Sequence, residues 1–397
     1  MRHFSLKNPL VFGTVVLTIT GFVSRFIGFF YRIFLSRVFG AEGMGIYQLT
    51  APVLALTFAL SAAGIQTAIS KFVARETSTR DYRYSFVYLF SGLTLSLALS
   101  ILCAGFVYCF SEQIAVRFLM EDRTAPLLRI IALSIPMAAV HSCINGYFYG
   151  IKKTGIPSIC QLSEQLMRVG SVYVIYALCQ KRGYSPTISF AVIGLVIGEC
   201  ASMLVSLIAA WAHFSGKLNT SSASSNVPVH LHRALSDMLH LSIPLSANRV
   251  IINFLMSVEA VFIPAQLLRY GYAHQAALSI YGVLTGMSLP LILFPSAITG
   301  SVCVLLLPVV SEADATGNQH IVEKAIQKSV KYGFLLGSVF TLIFFLGGSF
   351  LGNLLYQNEA AGHFISVLGF LCPLMYIAST LSSILNGLGK TGLTFLY

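Results

Sequence analysis

Charged residues are scarce in this chain. Asp, Glu, Lys and Arg make up 10% of its 397 residues, whereas they make up about 25% of a typical soluble domain. Hydrophobic residues account for 56%. This balance excludes an ordinary soluble domain and predicts an all-α polytopic membrane protein.

Several motifs that would carry chemistry are also missing. The eight cysteines are scattered, mostly within apolar segments, and none forms a C-x-x-C pair. We therefore interpret them as small buried hydrophobes, and not as disulfides or metal ligands. Gly389–Thr391 reads GKT, but Ile384 stands where a nucleotide-binding P-loop needs its first glycine. No catalytic triad or paired-carboxylate arrangement stands out, so the sequence predicts no enzyme, no metal site and no cofactor.

Long apolar segments dominate the sequence instead. Since about 20 apolar residues cross a bilayer, we predict ten membrane spans. They lie near 10–36, 45–69, 84–110, 126–149, 157–180, 187–213, 238–266, 279–308, 331–350 and 363–385. Lys and Arg concentrate in alternate connections, and the positive-inside rule then places the N-terminus in the cytoplasm. The basic loop Lys71–Arg83 is expected to meet anionic lipid, and no nucleic-acid partner is predicted.

A polar stretch at residues 215–237 divides the chain. Its Ser, Asn, Thr and Pro content predicts a flexible cytoplasmic linker. The linker follows an N-terminal lobe of six spans at 1–214 and precedes a C-terminal lobe at 238–397. The second lobe holds four spans, so we expect it to be truncated, with two more spans needed to complete it.

An internal repeat supports this division. Tyr47–Glu76 is similar to Tyr281–Glu312, and NGYFYGIKKTG at Asn145 is similar to NGLGKTG at Asn386. The separations are 234, 236 and 241 residues, so one period explains all three. Six spans in each copy is an even number, which predicts two parallel lobes.

Charges inside the spans are the clearest functional signal. Arg25 and Arg32 lie seven residues apart in the first span, on one stripe of a helix. A charge at the bilayer centre costs about 2.5–3.5 kcal/mol, so it rarely faces lipid. Across the spans four arginines stand against three carboxylates, and at least one arginine is expected to line a cavity that accepts an anion. The remaining intramembrane charges are Glu164, Arg168, Glu199, Arg249 and Glu259.

The arginines are the predicted substrate-binding residues. Arg25 and Arg249 are favoured as cavity-lining, with Arg32 as a third candidate; snorkelling or a supporting role is the alternative. Asn248 and Asn253 lie close to Arg249 in the sequence and complete the predicted site.

The carboxylates have a different predicted role. Glu164 and Arg168 are four residues apart with the acid first, the favourable order for a helical ion pair. This pair could be structural, or it could take part in coupling together with Glu199 and Glu259. If transport is coupled to an ion, H⁺ and Na⁺ both remain open.

The segment SRFIGFFYRIFLSRVFGAEGMGIYQL at Ser24–Leu49 resembles the first helix and loop of the multidrug/oligosaccharidyl-lipid/polysaccharide exporter superfamily. SEQLMRVG and NGYFYGIKKTGIPS fit its stage V sporulation protein B and polysaccharide-biosynthesis group, which is related to the lipid II flippases. The resemblance implies two six-helix lobes in a V shape around a central cationic cavity. It also implies a role for first-helix arginines: Ser24-Arg25 matches one family position, whereas the second falls at Tyr31, with Arg32 displaced by one.

The same resemblance implies a flippase for an undecaprenyl-pyrophosphate-linked saccharide, either lipid II or a related polysaccharide lipid, working by alternating access. Spore cortex formation is one setting that it suggests, and cell-wall synthesis enzymes are further candidate partners beside the substrate and membrane lipids. Two alternatives remain. A cation-coupled multidrug exporter of the same fold should offer carboxylates, yet no Asp or Glu precedes Glu42. A non-transporting scaffold would hardly need seven intramembrane charges.

Overall fold

The computed structural model describes residues 9–78, 82–218 and 231–389. Within these ranges the regular structure is helical and contains no strand, which confirms the predicted all-α fold. The chain forms two compact units. The first contains the residues up to Ile27 together with Glu42–Leu278, and the second contains Gly28–Ala41 together with the residues from Ser279 onward.

Ten helices among the described residues lie wholly or mainly in the first unit. They are α1 Pro9–Phe58, α2 Gly64–Ser78, α3 Tyr82–Cys109, α4 Ser111–Gln113, α5 Ala125–Ala132, α6 Ser134–Gly150, α7 Gly155–Lys181, α8 Ser189–Leu218, α9 Leu231–Arg269 and α10 His274–Gly282. The central part of α1 and the end of α10 belong to the second unit. Helix α1 bends at Gly40, whose φ of +71° suits glycine because it lacks a Cβ atom. The bend lies between the first two predicted spans.

Small residues allow the helices of this unit to approach closely. A Cβ atom on Gly146 would lie 2.6 Å from the Gln66 carbonyl oxygen, and one on Gly150 would lie 2.8 Å from that of Ser70. The glycines of the NGYFYG motif therefore form a G-x-x-x-G face that seats α6 on the backbone of α2. The fully buried Phe148 and Ile69 belong to the hydrophobic core at this contact.

Helix α9 belongs to the first unit, although the sequence predicts that it opens the C-terminal lobe. It packs on α2 and α3. Gly64 leaves room for it, since a Cβ atom there would lie 2.6 Å from the Ser242 carbonyl oxygen, and Met238 is buried in the same core as α2 and α6. Residues 219–230 of the predicted linker lie outside the described residues, so the linker stays a prediction.

The second unit continues with five helices in the described part of the chain. They are α11 Leu289–Leu293, α12 Ser296–Ala315, α13 Gln319–Leu351, α14 Glu359–Leu368 and α15 Cys372–Gly387. Helix α13 packs on α14 and α15, and Gly337 lets it approach the backbone of Pro373. The buried Tyr376 hydroxyl donates a hydrogen bond to the Ile292 carbonyl at 3.1 Å. From α1, Arg37 donates to the carbonyls of Leu354 and Leu355.

The same order of a π-helical turn, a helix, a break and a second helix occurs in both units. In the first, a π-helical turn at Ile114–Phe118 precedes α5, a break at Leu133 and α6. In the second, a π-helical turn at Gly352–Tyr356 precedes α14, a short 3₁₀ turn and α15, which starts at Cys372. Both the π-helical turns and the long helices after the breaks are 238 residues apart. This spacing falls within the range of 234 to 241 residues found in the sequence repeat.

Seven helical runs in the described ranges are long and apolar enough to cross a membrane, or eight if the bent pair Asp122–Ala132 and Ser134–Gly150 forms one span. The run Val15–Thr77 covers 63 residues and contains most of the first predicted span and all of the second. Helix α7, the predicted fifth span, is not among the seven, and it carries Glu164 and Arg168. The chain is therefore a multi-pass membrane protein, while the number ten stays a prediction.

Candidate functional site

Arg25 and Arg249 are two exposed arginines of the first unit that lie within apolar helical runs. Arg25 lies in the apolar run Val15–Thr77, and Arg249 lies near the middle of the run Ala234–Arg269. Both side chains are exposed. Arg249 makes one long hydrogen bond, 3.4 Å from its Nη2 atom to the Thr67 hydroxyl. Among the residues that the structure describes, no carboxylate lies within salt-bridge distance of either arginine.

The other predicted binding residues differ in their surroundings. Asn248 is exposed next to Arg249, and Asn253 is half-buried one helical turn further along α9. Arg32 belongs to the second unit, where it is half-buried within electrostatic range of the buried Tyr356 hydroxyl. Glu259 is exposed on α9 and forms no salt bridge within the described residues. It does not join the other predicted carboxylates.

Glu164, Arg168 and Glu199 do come together, and His141 completes the group. The Arg168 guanidinium is bonded to Glu164 within α7, and its Nη2 atom lies 3.6 Å from Glu199 Oε1 on α8. The His141 Nε2 atom on α6 lies 2.8 Å from Glu199 Oε2. The four side chains keep only 12–22% of their surface exposed. They form one network across three helices, which we call the α6–α8 network.

Two glycines explain why this network can form. Helices α7 and α8 form an antiparallel pair joined by a short turn, and Gly194 and Gly198 face α7. A Cβ atom on Gly198 would lie 2.8 Å from the Glu164 carbonyl oxygen, and one on Gly194 would lie 2.1 Å from Val172 Cγ2. This G-x-x-x-G face brings α8 against α7 and places Glu199 beside Arg168.

Sequence reasoning missed His141. It is a single histidine in an apolar span, and its partner lies on another helix 58 residues further along. Its own segment therefore carries no spacing signal. The available signal was the G-x-x-x-G pattern directly before Glu199, which predicts that this carboxylate lies at a close helix contact.

A second polar cluster lies in the connections of the first unit. The Glu121 side chain is 1% exposed, and it accepts from Arg123 Nε at 2.6 Å and from His274 Nε2 at 2.8 Å. Glu42 accepts from Arg123 Nη1 and from Gln275 Nε2, each at 2.7 Å. Burial raises the pKa of the Glu121 carboxyl, but the hydrogen bonds from Arg123 and His274 and the Arg123 charge outweigh it, so the pKa lies below the usual value.

Comparison with known proteins agrees with this architecture. Residues 10–314 match the model of the family described as polysaccharide biosynthesis protein. The chain belongs to this family. It is 27% identical over 395 residues to the stage V sporulation protein B of Bacillus subtilis. The aligned region covers 97% of this chain and 74% of that relative. It is 21% identical over 341 residues to the lipid II flippase MurJ of the same organism, covering 82% of this chain and 62% of that relative.

Solved structures confirm the fold. The chain is similar to a multidrug resistance MATE family transporter of the MOP superfamily in its inward-facing conformation, with a TM-score of 0.71 and 16% identity. The match covers 96% of this chain and 86% of that one. This likeness shows the fold, which is the one that the resemblance of the Ser24–Leu49 segment implies.

Proposed function

We propose that this protein is a flippase for an undecaprenyl-pyrophosphate-linked saccharide, either lipid II or a related polysaccharide lipid. It would act by alternating access around a cationic cavity that contains Arg25 and Arg249. Two intramembrane arginines that are exposed and have no carboxylate within ion-pair distance in the described residues are the observation that carries this proposal.

The physical reason is the cost of leaving such a charge in lipid. An arginine at the bilayer centre costs about 2.5–3.5 kcal/mol on insertion scales, so a membrane helix keeps it where it meets water or an anion. A guanidinium offers five donors in a planar fork that matches phosphate oxygens. A pyrophosphate headgroup meets a high barrier in hydrocarbon, and replacing its hydration with such donors lowers that barrier.

The other predicted residues take supporting positions in this proposal. Asn248 and Asn253 lie on the same helix as Arg249 and offer amide groups to phosphate or sugar hydroxyls. Arg32, half-buried in the second unit, adds positive charge along α1. Family membership and the names of the two relatives support a lipid-linked saccharide as substrate and spore formation as a setting.

The proposed location is the bacterial plasma membrane, with the N-terminus in the cytoplasm. The distribution of Lys and Arg supports this orientation. The enzymes of cell-wall synthesis are the partners that a lipid-linked saccharide substrate would imply. The driving force would be the membrane potential, an ion gradient or consumption of the product.

The deciding experiment is translocation of lipid II in vesicles that contain the full chain. We expect Arg25→Ala and Arg249→Ala each to reduce translocation at least tenfold while membrane insertion is unchanged, because the anion loses its principal donor. Arg25→Lys should retain part of the activity, since it keeps the charge and loses the fork.

The matched control is Arg182→Ala. This arginine is exposed at the end of α7, outside the apolar runs, and its removal should leave translocation unchanged. Unchanged flipping in both Arg25→Ala and Arg249→Ala would refute the role assigned to them. Extrusion of a cationic dye by the same vesicles, without lipid II movement, would favour a multidrug exporter instead.

A further inference from the structure

The α6–α8 network has unequal numbers of opposite charges. Glu164 and Glu199 contribute two negative charges, and Arg168 contributes one positive charge. With a neutral His141 the sum is −1. One ring nitrogen of His141 and one carboxylate oxygen each of Glu164 and Glu199 lie within 4.8 Å of one another. The surplus negative charge is therefore concentrated in one place.

The surroundings leave the surplus uncompensated. Helix α6 packs on α2, α3, α5, α7 and α8. Among the described residues, the charged groups that face the carboxylates come from His141 of α6, Glu164 and Arg168 of α7, and Glu199 of α8, and the Cys160 thiol lies within electrostatic range. On α5, Arg129 is bonded to Glu112 and is therefore engaged elsewhere. A group of like charges at low exposure is stabilised by taking up a cation.

The hydrogen bonds indicate where a proton would reside. His141 Nδ1 is buried and has no hydrogen-bond partner among the described residues. An imidazolium donates from both ring nitrogens, so charging His141 would leave a buried N–H without an acceptor. A neutral His141 that donates from Nε2 to Glu199 avoids this. The extra proton then belongs on the two carboxyl groups.

We propose that the α6–α8 network is a proton-binding site in which Glu164 and Glu199 share one proton taken up from water. Uptake brings the network from −1 to 0, and release restores the charge. Arg168 holds Glu164, and neutral His141 holds Glu199, so each carboxyl has a fixed partner in both states. All four side chains keep some exposed surface, which gives the proton a route of exchange.

A metal ion fits this site less well. Zinc bound by protein ligands needs free donor atoms in a tetrahedral arrangement about 2 Å from the ion. Here His141 Nε2 is bonded to Glu199, and the Arg168 guanidinium lies against both carboxylates. A cation would have to displace these contacts, whereas a proton needs no space.

The site also extends the proposed function, because a proton that is bound and released inside a transporter can couple its conformational change to a gradient. In that respect alone it rests on the proposed function. The binding of the proton itself does not, since the network lies apart from Arg25 and Arg249 in sequence and in its bonding partners.

The test counts protons taken up by the purified full chain in lipid vesicles on acidification from pH 9 to 5, with infrared difference spectra to detect the C=O stretch of a protonated carboxyl. Wild type should take up one network proton, and so should the control Glu359→Gln, which removes an exposed carboxylate in α14. Glu164→Gln and Glu199→Gln should each lose it, although one carboxyl remains, because either change makes the network neutral.

Arg168→Gln provides an independent check. Its network would carry −2, so it should take up two protons instead of one. The proposal is overturned if the remaining carboxyl of Glu164→Gln still takes up the proton, or if Na⁺ added at the same pH values suppresses the uptake completely.

Arg25→Ala separates this proposal from the proposed function, because it should keep full proton uptake. If this variant loses translocation and keeps the proton, the failure of one proposal leaves the other standing.

Discussion

Glu121 is a single carboxylate that joins distant parts of the chain. It is buried, it caps the short turn at Asp122–Thr124, and it accepts from His274 at the start of α10. Its lowered pKa means that the folded protein stabilises the ionised carboxylate more than the unfolded chain does. The resulting stabilisation is present above the unfolded pKa and is lost as the pH falls through the folded pKa.

We expect Glu121→Gln to lower the free energy of unfolding by roughly 1.5–3 kcal/mol at pH 7, the usual contribution of hydrogen bonds to a charged group. The difference between wild type and variant should shrink as the pH falls from 7 through the lowered folded pKa, because the wild-type carboxyl then becomes protonated. Thermal unfolding in detergent at pH 7 and at the lowest pH that the folded protein withstands measures it. Glu112→Gln is the control, since that side chain is 71% exposed and should change stability by about 1 kcal/mol or less. An equal loss at both pH values would contradict the electrostatic explanation.

Individual residues differ in how well the sequence predicts them. Glu164 and Arg168 are four apart on one helix, and the bond between them follows from helix geometry. His141 and Glu199 lie on different helices, and no periodicity in one segment gives the distance to another. Glu259 looks equivalent to Glu199 in the sequence, yet the structure leaves it exposed and outside the α6–α8 network.

At the level of the helix, Gly198 sets the distance between α7 and α8. We expect Gly198→Ala to lower the free energy of unfolding by about 1–3 kcal/mol, because the added Cβ would press on the Glu164 carbonyl at 2.8 Å and on Arg168 Cβ at 3.1 Å. The same push would separate Glu199 from Arg168, so proton uptake by the network should change as well. Denaturation in detergent and proton counting measure the two effects.

Gly170→Ala is the matched comparison for that substitution. Gly170 is exposed on α7 with nothing within 4 Å of its would-be Cβ atom, so alanine should be neutral or stabilising by about 0.4–1 kcal/mol. If both variants lost the same stability, helix propensity and not close packing would explain the result.

The positions of the helices were easier to predict than the packing between them. Hydropathy locates most of the apolar segments, and the bend at Gly40 lies between the first two predicted spans. The packing of α9 on α2 depends on Gly64 and on the small residues that face it, which lie far apart in the sequence. Hydropathy therefore predicts where a helix lies in the sequence, but it does not predict which other helices it packs on.

For the whole molecule, moving a pyrophosphate outward moves negative charge across the membrane. An inside-negative potential supplies about 2.3 kcal/mol per charge per 100 mV. We expect an imposed inside-negative potential to raise the outward-to-inward ratio of lipid II movement in oriented vesicles, and valinomycin with equal K⁺ on both sides to abolish the difference.

Nigericin separates this effect from proton coupling, because it collapses the pH gradient and leaves the potential. A ratio that responds to nigericin and not to valinomycin would show that protons, and not the charge of the substrate, supply the driving force. A ratio that responds to neither would contradict both forms of coupling.

The paired π-helical turns and broken helices, 238 residues apart, have a consequence for the history of the chain. A wide turn, a break and a long helix in the same order and at one spacing are the trace that duplication and fusion of a gene leave behind. The two copies then descend from one ancestral unit that already held this turn, break and helix.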